Sequence, residues 1–403
     1  MEILILKIYD DVLSSIMEGC CEALRELGHR VRVVDISGPQ DPRETLNKEI
    51  NDSLPDFLFT INHLGLTFQI LDLLSSLKLP YVSWWVDNPL SLTISKEFKS
   101  NYLTLFVWDR FYVEKLKTYG FKRVYHLSLA TNPNIFREIH LTQEEEVQFG
   151  CDLSFVGGAF YNGFLAYKEW QKGKDLAARN LLEQTLKVYF ENPSLDIRDV
   201  FRTVKEILRY DLSIEEERDL VVKLELIGMS LYRKEVIEEI KDLGFCLYGD
   251  EGWPKMVGRR IKFLGRIDYQ DLPKLYTASK INLNITKPQL KTAINQRVFD
   301  VAACGAFLLS DFRHDLIRLF EIEKEAIFYR DKEDLREKIN YFLSHPEKRE
   351  EISNRAKKKV LKEHTYLHRM RDLIEIMRGG HYEDHGNSPL DLKDKPKSSY
   401  SRG

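Results

Sequence analysis

Short apolar runs alternate with amphipathic segments along the first 148 residues. Six runs are rich in β-branched and aromatic residues, which predicts strands: ILILKIY, RVRVVDI, PDFLFTI, PYVSWWV, YLTLFVW and RVYHLSL. The segments between them predict helices, one of which ends in EALRELGH with Gly28 as its stop. Because near-continuous apolar strands separated by helices are typical of a parallel sheet covered on both faces, we predict a Rossmann-like domain over residues 1–148.

The same alternation returns after REIHLTQEEEVQFG, a charged and weakly periodic segment that we interpret as an interdomain linker. Strands are predicted at CDLSFV, GFCLYGD, IKFLGRI, INLNIT, AFLLSD and EAIFYR, with a helical insertion at about 164–243. This predicts a second Rossmann-like domain over 149–363, a helix at 364–378 that is a candidate to pack back on the first domain, and a disordered tail over 379–403. The predicted architecture is α/β, with two doubly wound domains facing each other across a cleft that suits a nucleotide-type ligand.

The amino-acid composition and net charge argue against several classes of function. The chain of 403 residues has 60 Lys and Arg against 63 Asp and Glu, for a net charge of −3, which argues against nucleic acid as a partner. The five cysteines show no metal-ligand spacing, so we expect no metal site. The apolar N-terminus is interrupted by Asp10 and Asp11, which favours a strand over a signal peptide, and no run of 18 apolar residues predicts a membrane span. We therefore expect a cytoplasmic protein.

The stretch NQRVFDVAACGAFLLSD, residues 295–311, begins a helix with polar and charged side chains. Thr292 is predicted to cap this helix, whose free N–H groups and positive dipole end favour an anion. Arg297 in the first turn suits a diphosphate, because guanidinium binds phosphate oxygens in a bidentate manner. The alternative is that Arg297 pairs with Asp300 or Asp311 on the surface.

Three other positions follow predicted strands. Gly157 and Gly158 in FVGGAF allow the backbone to approach a phosphate, although a tight turn explains them equally well. Asp87 in WWVDNP is either a base for an acceptor hydroxyl or a cap of its turn. His63 in TINHLG is a further candidate base, with a structural role as the alternative.

NQRVFD followed by ACG, together with GRIDYQDLPKLYTASKINLNIT and PYVSWWVDNP, resembles the CgeB-like (spore maturation protein) glycosyltransferases over residues 1–378. The resemblance implies a GT-B fold, a nucleotide-diphospho-sugar donor, of which a UDP-sugar is the leading candidate, in the second domain, and a glycan, protein or lipid-linked acceptor in the first. It also implies a metal-independent reaction. A non-catalytic sugar-nucleotide-binding or envelope or spore assembly protein, and a GT-B epimerase, are the alternatives.

The resemblance also implies roles for individual residues. Arg297 would hold the diphosphate and Asp300 the ribose, and Gly157 and Gly158 would form the phosphate-side loop. Thr292 stands where related retaining enzymes have a first carboxylate, so that pair is incomplete. The donor site would be completed by Gly249 and Asp250 beside the base, and by Asn284, Lys287, Asn295 and Gln296. The basic run at 355–362 is either a solvated helix face or a weak contact with anionic lipid.

Overall fold

The computed structural model describes residues 1–7, 12–38, 40–91, 99–192, 195–258 and 261–379. The chain divides into two compact units, one made of Met1–Asn132 with the segment from Lys362, the other of Pro133–Leu361. The first crossing between the units therefore lies upstream of the one predicted after residue 148. The tail predicted as disordered lies, apart from Gly379, outside the described residues.

The first unit contains a six-stranded sheet in the order β2-β1-β3-β4-β5-β6, in which all neighbouring strands are parallel. Its strands are β1 (Glu2–Lys7), β2 (Arg30–Asp35), β3 (Phe57–Ile61), β4 (Tyr81–Trp85), β5 (Leu103–Val107) and β6 (Val124–His126). Its helices are α1 (Val12–Glu26), α2 (Pro42–Asp52), α3 (Phe68–Ser76), α4 (Arg110–Thr118) and, later in the chain, α16 (Tyr366–Met377). Every residue of β3, β4 and β5 is buried, as expected for strands covered on both faces.

Helix α16 belongs to the first unit and packs on α1. The ring of Tyr366 lies against Gly19, where an added Cβ would be 2.7 Å from the ring. Arg369 of the same helix is buried, and its Nε donates to the backbone carbonyl of Ser128 at 2.9 Å. A glycine on α1 and buried polar contacts on α16 thus attach the predicted C-terminal helix to the first unit.

The second unit contains a six-stranded parallel sheet in the order β12-β11-β10-β7-β8-β9. Its strands are β7 (Cys151–Val156), β8 (Phe245–Tyr248), β9 (Lys262–Phe263), β10 (Ser279–Asn284), β11 (Leu308–Asp311) and β12 (Ile327–Tyr329). Around them lie α5 (Gln143–Phe149), α10 (Trp253–Val257), α11 (Leu272–Ala278), α12 (Gln296–Ala303), α13 (His314–Leu319), α14 (Lys332–Ser344) and α15 (Pro346–Glu363). Two parallel sheets with helices confirm the predicted α/β class.

Between β7 and β8 the described chain forms four helices: α6 (Tyr161–Gly173), α7 (Leu176–Glu191), α8 (Ile197–Leu208) and α9 (Ile214–Ile240). Their apolar faces form a core of their own around Leu181, Phe201 and Leu224. The last turns of α9 belong instead to the core of the sheet, through Val236, Ile237 and Ile240. Helix α9 therefore contributes to both cores and connects the insertion to the sheet.

The segment interpreted as a linker is partly helical. Helix α5 begins with a capping box in which Thr142 accepts from the backbone of Glu145, and Glu145 accepts from the backbone of Thr142. The acidic run that suggested a solvated linker occupies the first turn, where negative charge is favourable. Phe149 is buried in the second unit, so this segment is part of that unit.

Candidate functional site

The second sheet reverses its strand order at β7, which has β8 on one side and β10 on the other. Ligands of such sheets bind beyond the carboxyl ends of the strands at this switch point. Phe155 pairs with Leu283, so Val156 and Asn284 end the two strands at the same level. The side chains of the candidate site lie near these two strand ends.

Helix α12 starts at Gln296, with Asn295 in the N-cap position. The predicted cap by Thr292 is therefore wrong: Thr292 is buried in the preceding loop, where its carbonyl accepts from the backbone of Asp315 at 2.9 Å. The Asn295 side chain makes no capping bond; its NH2 group instead donates to Asn284 Oδ1 at 2.8 Å. The start of α12 is thus tied to the end of β10.

Arg297 lies in the first turn of α12 and is half-buried. Its guanidinium donates to Asn284 Oδ1 at 2.9 Å and to the carbonyl of Val156, and it stacks over Phe155 at 5.5 Å. The alternative of a pair with Asp311 does not hold, since Asp311 pairs with Arg313 at 3.2 Å. Arg297 therefore bridges the ends of β7 and β10.

A second guanidinium, which the sequence pattern did not reveal, lies beside the first. Arg233 of α9 is buried and donates to the carbonyl of Gly158 at 2.7 Å and to that of Ile285 at 3.1 Å. Burial, and then the neighbouring charge of Arg297, lower the pKa of Arg233 to about 9. Arg233 is 75 residues from Gly158 in sequence, so no local motif connects them.

Gly157 and Gly158 form the turn between β7 and α6. A Cβ on Gly157 would lie 2.8 Å from the Phe155 ring, and one on Gly158 would lie 3.0 Å from Asp250 Oδ2. An added side chain would therefore crowd the Phe155 ring or the Asp250 carboxylate, and the backbone itself forms the surface at the switch point.

The loop after β8 packs against the glycine turn and forms hydrogen bonds with it. Trp253 is fully buried and its indole N–H donates to the carbonyl of Gly157 at 2.7 Å, while Asp250 accepts from the backbone N–H of Ala159 at 2.9 Å. A Cβ on Gly249 would lie 2.3 Å from the Gly157 oxygen. Gly249 and Asp250 therefore lie at the glycine turn and determine its position.

The other predicted donor residues take different positions. Lys287 is half-buried, with its ammonium 5.5 Å from the ring of Phe160 beside the glycine turn. Gln296 is half-buried at the start of α12. Asp300 lies one turn further along the helix and is only 4% exposed.

The basic run on α15 is partly neutralised, since Arg355 pairs with Glu351 at 2.9 Å and Lys357 pairs with Glu138.

This arrangement is suited to a polyanion. Each guanidinium carries five N–H donors, and the Nε atoms of Arg233 and Arg297 have no hydrogen-bond partner among the described residues. Two like charges in a buried setting repel each other, and an anion between them would relieve that repulsion. Within the described part of the chain there is no group of three or more His, Cys, Asp or Glu that could hold a metal ion.

The first unit brings Asp87 and His63 to the ends of β3 and β4. Asn62, which sequence reasoning missed, donates to Asp87 Oδ2 at 3.0 Å, and its own Oδ1 accepts from the backbone of Val86 at 2.8 Å. Asn62 and His63 both have left-handed backbone angles, with φ of 52° and 59°. Consecutive non-glycine residues in this region are strained, and such strain clusters at functional sites.

His63 is buried against Trp85, with ring centroids 5.5 Å apart, and its backbone N–H donates to Ser83 Oγ at 3.0 Å. Burial lowers the pKa of His63 to about 4. The imidazole is therefore neutral near pH 7 and is only a weak base. Asp87 is half-buried and is the more accessible of the two.

Two six-stranded parallel sheets of Rossmann type, with polar side chains after β3 and β4 in the first and at the switch point of the second, define the GT-B class of fold. A family profile described as "Glycosyl transferase-like" matches residues 233–375. The profile begins at Arg233 and includes the whole of α12. No curated protein sequence matches the chain. None of the described helices is both long and apolar enough to cross a membrane.

Solved structures with the same fold include three from bacteria. A sucrose-phosphate synthase from Thermosynechococcus elongatus has a TM-score of 0.56 and 11% identity, over 94% of this chain and 98% of that one. A glycosyltransferase from Rickettsia africae has a TM-score of 0.55 and 11% identity, over 94% and 98%. HepE from Anabaena in complex with UDP-glucose has a TM-score of 0.54 and 10% identity, over 94% and 100%. These similarities establish the fold, and with the family profile they support a glycosyltransferase.

Proposed function

We propose that this chain is a CgeB-like glycosyltransferase that transfers a hexose-type sugar from a UDP-sugar to an acceptor hydroxyl. The observation that carries the proposal is the pair Arg233 and Arg297 beside the glycine turn at the switch point of the second sheet. The GT-B neighbour HepE, solved with UDP-glucose, supports the choice of a uridine donor.

On the donor side, Arg297 binds the diphosphate through the N–H groups that Asn284 and Val156 leave unused. The start of α12 adds its positive dipole end, and Lys287 adds a further cation. Arg233 is buried and acts as a positioning residue, because it fixes the Gly158 carbonyl and adds positive charge. Asp300 is assigned to the ribose hydroxyls.

These groups act when the bond between the anomeric carbon and the phosphate oxygen breaks. Negative charge then develops on the departing UDP, and preorganised cations and N–H groups stabilise it without a metal ion. On the acceptor side, Asp87 takes the proton of the attacking hydroxyl, whose oxygen forms the new bond to the anomeric carbon. Asn62 orients Asp87 for this step through its hydrogen bond of 3.0 Å.

The test is nucleotide release from a panel of UDP-, GDP- and ADP-sugars, with extracted cell-surface glycans as acceptors. Replacing Arg297 by Ala should lower kcat/KM by the equivalent of about 2–4 kcal/mol, the scale of one lost electrostatic donor. Arg202→Ala, a change of an exposed arginine on α8, is the matched control and should keep full activity. Unchanged turnover in Arg297→Ala would remove the proposed role of the site.

A second candidate is a non-catalytic sugar-nucleotide-binding protein. It is favoured by the buried Thr292, which stands where related enzymes have a carboxylate and which therefore supplies no charge for the donor sugar. Calorimetry with UDP and UDP-sugars separates the two. Binding that depends on Arg297, without release of UDP in the presence of any acceptor in the panel, would favour this alternative.

A further inference from the structure

A cavity of about 1320 Å³ lies within the second unit, between the helical insertion and the carboxyl ends of β11 and β12. One wall is formed by α6, α7 and α9, and the other by residues that end or follow β11 and β12. Small-molecule sites usually measure roughly 300–1,000 Å³, so this cavity has room for a larger ligand. Neither Gly157 nor Arg297 lines it, and it is therefore distinct from the donor site.

Aromatic side chains line both walls. Phe164, Tyr167, Phe190 and Tyr232 come from the insertion, and Phe312 and Tyr329 come from the strand ends. The rings of Phe190 and Tyr232 have centroids 5.9 Å apart. All four of these insertion residues are half-buried. Such faces suit the flat C–H surfaces of a ligand that also carries polar groups.

The charged groups of the lining are balanced. Six Lys or Arg side chains and six Asp or Glu side chains contribute to it. Lys332 pairs with Glu235 across the cavity lining at 2.6 Å, whereas Lys187 on the rim is exposed. A site for phosphate would show an excess of cations. Equal numbers of cationic donors and anionic acceptor side chains instead suit a neutral ligand rich in hydroxyl groups, which both donate and accept.

A buried ion pair forms part of the strand-end wall. Arg313 is 2% exposed, is paired with Asp311 at 3.2 Å and donates to the carbonyl of Phe312 at 2.8 Å. Its buried Nε has no hydrogen-bond partner among the described residues. This nitrogen is enclosed by the protein, so the contribution of Arg313 to the cavity is its ion pair with Asp311, which holds the end of β11 in the wall. The phenols of Tyr232 and Tyr329 are bonded within the protein, the first to Asp311 and the second to the carbonyl of Asn284, each at 3.3 Å.

We infer that this cavity binds a neutral saccharide chain, with sugar rings stacked on the insertion aromatics and hydroxyl groups bonded to the paired charges. A sugar ring has apolar C–H faces and hydroxyl groups at its edge. The aromatic rings of the lining match the faces, and its charged side chains match the hydroxyl groups. The inference does not depend on the proposed function, because none of its residues belongs to the donor site.

The test uses the fluorescently labelled full chain on an array of neutral and anionic oligosaccharides, followed by calorimetry with the tightest soluble ligand. Tyr167→Ala should weaken binding roughly tenfold, the scale of one lost aromatic stacking contact. Tyr167→Phe should retain it. Lys187→Ala on the exposed rim should weaken binding without affecting the fold, and Lys172→Ala, an exposed lysine of α6 outside the cavity, is its control.

We expect neutral oligosaccharides to bind the wild type and Arg297→Ala with similar affinity. Their binding to Tyr167→Ala and Lys187→Ala should be weaker. The inference is overturned if no oligosaccharide binds, if only anionic ones bind, or if both cavity variants bind as the wild type does. Loss of binding in Arg297→Ala would also overturn it, by placing the saccharide at the donor site. If the wild type binds oligosaccharides through the cavity but releases no nucleotide from any donor, the inference stands and the proposed function fails.

Discussion

Arg233 and Arg297 lie over the same phenyl ring, and the guanidinium carbon of each is 5.5 Å from the centroid of Phe155. They reach it from different parts of the chain, one from the long insertion helix α9 and the other from the first turn of α12. Their proximity contributes, after burial, to the lowered pKa of Arg233. Two cations held this close store a repulsion that a bound anion relieves.

Inorganic pyrophosphate should therefore stabilise the folded protein. At a hundredfold excess over Kd, a ligand that binds only the folded state adds about 2.7 kcal/mol to the free energy of unfolding. Thermal unfolding with and without pyrophosphate measures this effect. Arg297→Ala should abolish most of the increase in Tm, while Arg202→Ala should keep it. An equal increase in wild type and Arg297→Ala would show that the anion binds elsewhere.

Arg233→Met should destabilise the fold, because it keeps most of the apolar stem but leaves the carbonyls of Gly158 and Ile285 without their donors. A buried acceptor left unsatisfied costs about 1–3 kcal/mol, and two are affected here. Urea unfolding monitored by circular dichroism should give a loss of about 2–4 kcal/mol. Arg202→Met is the control. A stability equal to that of wild type would mean that Arg233 does not hold the glycine turn.

Gly249→Ala should disturb the glycine turn through backbone contact. Its Cβ would lie 2.3 Å from the Gly157 oxygen, and this oxygen has little freedom because Trp253 donates to it. We expect a loss of stability of about 1–3 kcal/mol and weaker UDP binding. Gly173→Ala is the matched control, since nothing lies within 4 Å of the added atom. Equal UDP affinity in the two variants would contradict the role of the turn.

Asp87→Asn tests the assigned base. Loss of a general base lowers kcat by roughly 10²- to 10⁴-fold, and KM for the donor should not change. Asn62→Asp should also lower kcat, because it replaces the donor to Asp87 with a like charge. Steady-state kinetics of nucleotide release measures kcat and KM for both variants. Asp72→Asn on α3 is the control. Wild-type kcat in Asp87→Asn would exclude Asp87 as the base.

His63 should make stability depend on pH. Burial lowers its pKa from 6.5 to about 4, so the unfolded chain takes up a proton at a higher pH than the folded one. Its contribution is fully present above pH 6.5 and is lost as the pH falls to 4, with a limit of about 3 kcal/mol. His63→Asn, which suits the left-handed backbone, should show a smaller fall in unfolding free energy over this range. Parallel curves for the two proteins would contradict the burial of a neutral imidazole.

Local patterns predicted much of the fold. The apolar strand runs and the insertion were visible because they follow the periods of strand and helix. Residues 137–150 were misread because acidic residues in a first helical turn resemble a solvated linker, and a single buried Phe149 is a weak signal. The cap of α12 was misplaced because the choice between Thr292 and Asn295 depends on the path of the loop before it.

Only part of the candidate site could be predicted from the sequence. Arg297 and the two glycines follow predicted strands, so the rule for parallel sheets places them together. Arg233 and Asn62 were missed because one comes from a helix far along the chain and the other carries no distinctive motif. Their contacts arise from tertiary packing, which local periodicity does not encode.

The connection of α16 to α1 also bears on the order of events during synthesis. Pro133–Leu361 is continuous in sequence, whereas the unit that contains α1 is complete only once residues up to Met377 have been made. Since domains tend to fold as they emerge from the ribosome, the later-starting unit can mature while the earlier one still lacks its closing helix. Until then Gly19 and the surface of α1 around it lack the cover that Tyr366 and the rest of α16 provide in the folded unit.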